Sequence, residues 1–156
     1  MVEWSSLGEY SRYVKPYQQN FRLPLPEYKT HNHVKFLLNY YFVFIPKRSK
    51  KVLIGDVATR TREIFLGLSI EKGWDILALE VAPDHVHLFV AVNPTDTPAL
   101  VVKLFKGRSS HHLRAEFPQL KKLPSLWTSS YEVSTAGNIS SEVVKKYIED
   151  PHHSAN

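Results

Sequence analysis

Two histidines separated by one residue, His85 and His87, are the first feature of this sequence able to do chemistry. Between and after them stand Val86, Leu88, Val90 and Val92, all aliphatic. Strand alternation therefore buries the even positions and sends both imidazoles to the opposite face. Two neutral rings side by side on a strand can share one divalent cation. The chain has no cysteine, so any metal must sit on imidazole, carboxylate or amide groups. A two-residue turn at Pro83-Asp84 would set Ala82 opposite His85 and Glu80 opposite His87, with opposed side chains roughly 5 Å apart. Glu80 can then join a metal, orient His87, or pair with a Lys or Arg on a solvated face. Another His-x-His, His31-Asn32-His33, lacks the flanking alternation and reads as a solvated loop.

Near the end of the chain, Val143, Val144, Tyr147 and Ile148 form one helical stripe. Tyr147 is then either a packing aromatic or a nucleophile whose phenol attacks a metal-polarised phosphate. Lys145 and Lys146 precede it.

These residues need a scaffold. Phe36 to Ile45 reads as a strand apolar on both faces, hence central, closed by Pro46 and a basic stretch of Lys47, Arg48, Lys50 and Lys51. Val52 to Lys72 reads as a helix stopped by Gly73. Residues 74–82 and 85–92 read as two strands, with Leu77, Leu79 and Val81 of the first turned to the core. A second helix is capped by Thr97, carries Pro98 in its first turn and runs to about Phe117. Trp127 to Thr135 reads as a fourth strand, and Ser140 caps a last helix ended by Pro151. The order β-α-β-β-α-β plus one helix predicts an α+β, ferredoxin-like split β-α-β antiparallel sheet with both main helices on one face, the other face open, and the C-terminal helix carrying the tyrosine. Residues 1–33, broken by Pro16, Pro24 and Pro26, read as an extended arm, and 34–156 as a single domain.

A length of 156 residues suits one domain. The chain carries 20 Lys and Arg against 15 Asp and Glu, a net +5, and its pI near 9.4 favours an acidic partner such as nucleic acid. The absence of cysteine, of a signal-like start and of an apolar run long enough to span a bilayer points to a cytoplasmic protein with no membrane partner.

Taken in order, the motifs resemble a known family, the single-tyrosine, HUH-type transposases of the insertion-sequence 200/605 class. The resemblance runs from about Val34 to Glu149. It rests on Tyr40-Tyr41-Phe42-Val43-Phe44-Ile45-Pro46-Lys47-Arg48, Pro83-Asp84-His85-Val86-His87-Leu88 and Leu104-Phe105-Lys106-Gly107-Arg108-Ser109-Ser110. Further on stand Leu126-Trp127, then Val133-Ser134-Thr135 with Gly137-Asn138, and Lys146-Tyr147-Ile148-Glu149.

The resemblance implies a transposase that cuts and rejoins single-stranded DNA through a 5′-phosphotyrosine. Tyr147 would be the nucleophile, and His85 and His87 would hold Mg2+ or Mn2+. It further implies recognition of hairpins at the element's ends, and a homodimer whose active site is shared between subunits. Lys47, Arg48 and Lys51, with Lys106, Arg108 and Ser109 of the second long helix, are candidate DNA contacts; a solvated charged face is the other reading of these charges.

Two features depart from the family pattern. The arm precedes the usual start, and Pro151 stands where the family commonly places a Gln ligand four residues after the tyrosine. Asp150, three residues from Tyr147 and so on a neighbouring helix face, is the first choice to replace that Gln, and Glu80 is the rival. The alternative function is a domesticated or inactive relative acting as a non-catalytic single-stranded nucleic-acid-binding protein. A phosphoesterase with paired His-x-Thr/Ser motifs is disfavoured, because no such pair falls on two strands.

Overall fold

In the computed structural model, described over residues 28–31 and 33–135, a four-stranded antiparallel sheet is backed by two long helices. A short hairpin precedes it, β1 (Lys29–His31) with β2 (Val34–Phe36). The sheet follows as β3 (Asn39–Phe44), β4 (Asp75–Ala82), β5 (His85–Ala91) and β6 (Glu132–Thr135), in the spatial order β4-β5-β3-β6. The helix α1 (Gly55–Lys72) links β3 to β4, and α2 (Pro98–Glu116) lies between β5 and β6. This is the split β-α-β plan, with the strand apolar on both faces placed inside the sheet as its composition requires.

One face of the sheet forms the core. Phe42 and Phe44 of β3, Leu79 and Val81 of β4, and Val86, Leu88 and Val90 of β5 point towards the helices. From α1 come Val57, Ile64, Phe65 and Leu68, and from α2 Val101, Val102, Phe105 and Leu113. Phe65 and Phe105 meet at 4.8 Å between ring centroids. Two exposed ion pairs also join the helices, Arg60 to Glu116 at 2.8 Å and Arg108 to Glu71 at 2.8 Å. Exposed pairs are screened by solvent and add little, whereas truncating a buried Phe costs about 3–5 kcal/mol. The aromatic contact therefore dominates the docking of the helices.

Local departures from the sequence reading have identifiable causes. The first helix starts at Gly55, not Val52: Gly55 enters at φ +54, and Leu53 is held by a backbone bond to Pro83 O at 3.0 Å. A β-bulge between Ile76 and Ala78 shifts the register of β4, so Ile76 is buried in the core in place of Leu77. Trp127 does not begin the last strand. It makes an isolated bridge to Pro46, residues 128–131 turn, and pairing with β3 resumes at Glu132. The Lys29–His31 strand lies within the segment expected to be an arm, pinned by Lys29 Nζ donating to Asp75 at 2.5 Å. His31 and His33 are exposed, as expected, but His31 is the last residue of β1, paired with Val34, and does not lie in a loop. Ser140, Tyr147 and Asp150, with the expected final helix, lie outside the described residues. Among the described residues no helix is long and apolar enough to cross a membrane.

Candidate metal centre and nucleic-acid interface

The site grows from the β4–β5 hairpin. Pro83 and Asp84 form the two-residue connection, and the register sets Ala82 opposite His85 and Glu80 opposite His87, as alternation and turn length require. The imidazoles of His85 and His87 lie 4.7 Å apart at an interplanar angle of 77°. Each is engaged at Nδ1: His85 by Asp84 Oδ1 at 2.7 Å, and His87 by the Tyr41 hydroxyl from β3. The Tyr41 ring lies nearly parallel to His87 and within 4.5 Å of Phe89.

This face is not open, as the sequence had suggested. His87 and Glu80 are each only 3% exposed, and Tyr41 and Phe89, whose rings meet beside His87, are buried with them. Burial has a direct electrostatic consequence for Glu80. Loss of hydration disfavours its charged form and pushes its carboxyl up to about 7. Oε2 of Glu80 and Nε2 of His85 are buried without a hydrogen-bond partner, and no Lys or Arg among the described residues neutralises Glu80. An acceptor pair left bare in this way suits a cation, since a buried lone pair costs stability until something occupies it.

The donor set fits a divalent ion in kind, with two imidazoles and one carboxylate. As the side chains stand, however, no three His, Asp or Glu groups converge on one point among the described residues. For a divalent ion here, a third donor would have to come from rotation of Glu80 or from outside these residues, where Asp150 falls.

The basic loop occupies the same end of the sheet. Pro46 and the 3-10 turn at Lys47–Ser49 follow β3, and the Lys47 N–H donates to Leu126 O at 2.8 Å. Arg48 and Ser49 both adopt left-handed φ, +60 and +52, a conformation that costs non-glycine residues free energy and here leaves Arg48, Lys50 and Lys51 exposed. Through Leu53 N–H to Pro83 O, the exit of this loop is bonded to the turn that carries Asp84 and His85.

The expected contacts on α2 fare differently. Ser109 is fully buried, donating to Phe105 O at 2.6 Å and accepting from Trp127 Nε1 at 2.9 Å, so it cannot touch DNA. Its position in a helix hides this role, because the Trp127 partner is distant in sequence. Lys106 donates to Thr128 O and Ser130 O, both at 2.8 Å, and burial pushes its ammonium down. It clamps the 128–130 turn instead of projecting to solvent. Arg108 is held by Glu71. Asp84 and Tyr41 were missed as partners of the histidines. Asp84 adjoins His85 and had a local signal, but Tyr41 needed the β3–β5 register.

A family model described as "Transposase IS200 like" matches residues 34–151. The chain belongs to the IS200-like transposase family. It is 32% identical over 133 residues to the ISDra2 transposase TnpA of Deinococcus radiodurans, covering 83% of this chain and 94% of that protein. It is 26% identical to the transposase for insertion sequence element IS200 of Salmonella typhimurium, over 71% of this chain and 75% of the relative. Among solved structures, a chain described as a transposase from Deinococcus radiodurans superposes with a TM-score of 0.63 at 32% identity, over 78% of this chain and 95% of the other. A REP-associated tyrosine transposase bound to a REP hairpin shares the fold, with a TM-score of 0.55 at 15% identity over 84% and 75%. The His85–His87 hairpin and the basic loop both fall inside the family match.

Proposed function

We propose that this IS200-like transposase cleaves and rejoins single-stranded DNA at the ends of its element, with Tyr147 as nucleophile and His85 and His87 as ligands of Mg2+ or Mn2+. The observation that carries the reading is the pairing of the two imidazoles on one strand beside a buried, unneutralised Glu80. His85 and His87 would hold the ion by ring nitrogen, with Glu80 or Asp150 as the oxygen donor. When bound, the ion supplies Lewis-acid polarisation of the scissile phosphate.

The rest follows from side chains. Lys47, Arg48 and Lys51 offset backbone charge beside the reacting phosphate. The Tyr147 oxygen, losing its proton, bonds to phosphorus as the 3′ oxygen leaves, giving a 5′-phosphotyrosine and a free 3′-OH. A 3′-OH then attacks that ester and releases the phenol, so rejoining needs no nucleotide cofactor. Hairpin DNA is the proposed substrate form, in line with the hairpin bound by the REP-associated relative, and a homodimer with shared sites is the proposed assembly.

The test incubates the full-length protein with labelled single-stranded hairpin DNA, with and without Mn2+, and looks on denaturing gels for a protein–DNA adduct. An adduct requiring Mn2+ is expected. Tyr147→Phe should abolish it while leaving hairpin affinity within a few fold, because only the nucleophilic oxygen is removed; an undiminished adduct would refute Tyr147 as nucleophile. Hairpin binding with no adduct under any condition would favour the non-catalytic alternative, which Pro151 at the position of the usual Gln ligand supports.

A further inference from the structure

The sequence offered Asp84 as a turn former and Tyr41 as part of the first strand, and gave neither a role at the histidines. Both meet the paired histidines at the same ring atom, Nδ1. A carboxylate offers no proton, so the 2.7 Å contact between Asp84 and His85 requires His85 to carry its proton on Nδ1. That leaves the lone pair on Nε2, the atom that is buried with no hydrogen-bond partner. Asp84 is itself held in place, since the Pro83 carbonyl of the same turn is taken by the Leu53 N–H at 3.0 Å and the proline ring fixes its own φ.

Tyr41 lies opposite Phe89 in the β3–β5 register, two residues along from His87. It therefore reaches His87 diagonally, with the rings only 10° from parallel. Its hydroxyl can accept from Nδ1–H as well as donate, so it orients the ring firmly and selects the tautomer less strictly than a carboxylate does.

We propose that Asp84 and Tyr41 are positioning residues that set the tautomer of His85 and the orientation of His87, so that both rings present Nε2 to one divalent cation. This rests on the reading of His85 and His87 as metal ligands. Ring-nitrogen partners of this sort typically hold tenfold to a hundredfold of metal affinity (order of magnitude) without touching the ion. They do so by removing the competing tautomer and the freedom of the ring.

The experiment uses the full-length protein labelled with 15N-histidine and stripped of metal with a chelator. Long-range proton–nitrogen spectra at about pH 8, above the ordinary imidazole range, should show His85 as the Nδ1–H tautomer, with substantial Nε2–H form in Asp84→Ala. Free Mn2+ counted by electron paramagnetic resonance should give an affinity at least about tenfold weaker in Asp84→Ala and several fold weaker in Tyr41→Phe. Should Asp84→Ala fail to fold, Asp84→Asn retains the turn shape while its amide can donate to Nδ1, and the same losses are expected. Unaltered tautomers together with Mn2+ affinity within twofold of wild type would overturn the positioning role. Wild-type protein that binds no Mn2+ at all would instead overturn the ligand reading on which it rests.

Discussion

Glu80 is a residue whose solvation sets a measurable pH dependence. In the folded, metal-free protein burial keeps its carboxyl protonated up to about 7, whereas the unfolded chain releases that proton near the ordinary value of about 4.3. Between those limits the folded state binds more protons, so stability is undiminished below the lower value and falls as pH rises through the upper one. The loss amounts to about 4 kcal/mol at full ionisation. Thermal melts of chelated protein across this window should show the decline, and Glu80→Gln should flatten it; an equal slope in Glu80→Gln would place the cause elsewhere. If Glu80 is a ligand, saturating Mn2+ should also flatten the slope, because a bound cation stabilises the charged carboxylate. His85→Ala and His87→Ala should each abolish cleavage and weaken Mn2+ binding, read by calorimetry, since a sparse site cannot spare a donor; unchanged binding in the double variant would move the metal elsewhere. The pairing of Glu80 with His87 was legible because turn length and a period of two fix local register. The Tyr41 contact was not, because it depends on which strand pairs with β5, a non-local choice.

At the scale of elements, α2 shows how a helix can commit part of its charge to its own fold, although Lys103 stays exposed. Ser109 holds the Trp127 indole N–H, and Trp127 bridges to Pro46 at the root of the basic loop. Lys106 holds the turn that follows. Together they lock the Leu126–Ser130 segment between α2 and β3 and fix where β6 begins. Ser109→Ala should therefore lower stability by about 1–3 kcal/mol, the cost of a buried indole donor left unpaired, with hairpin affinity unchanged at a temperature where the variant is folded. Denaturant melts and a binding titration check both halves; lost affinity at retained stability would restore Ser109 as a DNA contact. Helix α2 itself was readable from Thr97, whose Oγ accepts from the Leu100 N–H at 3.2 Å, and from the Pro98 that follows. The late start of β6 was not, since the apolar character of Trp127 serves the core beneath the sheet and not a continuous strand. The bulge at Leu77 was equally hidden, because a run of Ile76, Leu77, Ala78 and Leu79 satisfies either register.

On the scale of the whole molecule, a net charge of +5 says less about DNA than where the uncommitted cations lie. Lys106 is clamped to carbonyls, Arg108 and Arg60 are paired with Glu71 and Glu116, and Arg114 donates to Leu123 O and Pro124 O. The basic loop is different: Arg48, Lys50 and Lys51 are exposed, and the backbone bond from Leu53 to Pro83 ties the loop to the histidine hairpin. Phosphates gathered there would lie beside the proposed metal centre, whereas phosphates gathered along α2 would not. Each cation that neutralises a phosphate of single-stranded DNA steepens the fall of log affinity with log salt by about 0.7. Replacing Lys47, Arg48 and Lys51 by Gln should therefore make that slope shallower by about 2 and weaken binding most at low salt. Replacing Arg108 by Gln should leave the slope unchanged, because its charge is already spent on Glu71. Fluorescence anisotropy with a single-stranded hairpin across a salt series separates the two variants. An unaltered slope in the triple variant, with a shallower one in Arg108→Gln, would move the DNA path from the loop to the helix and away from His85 and His87.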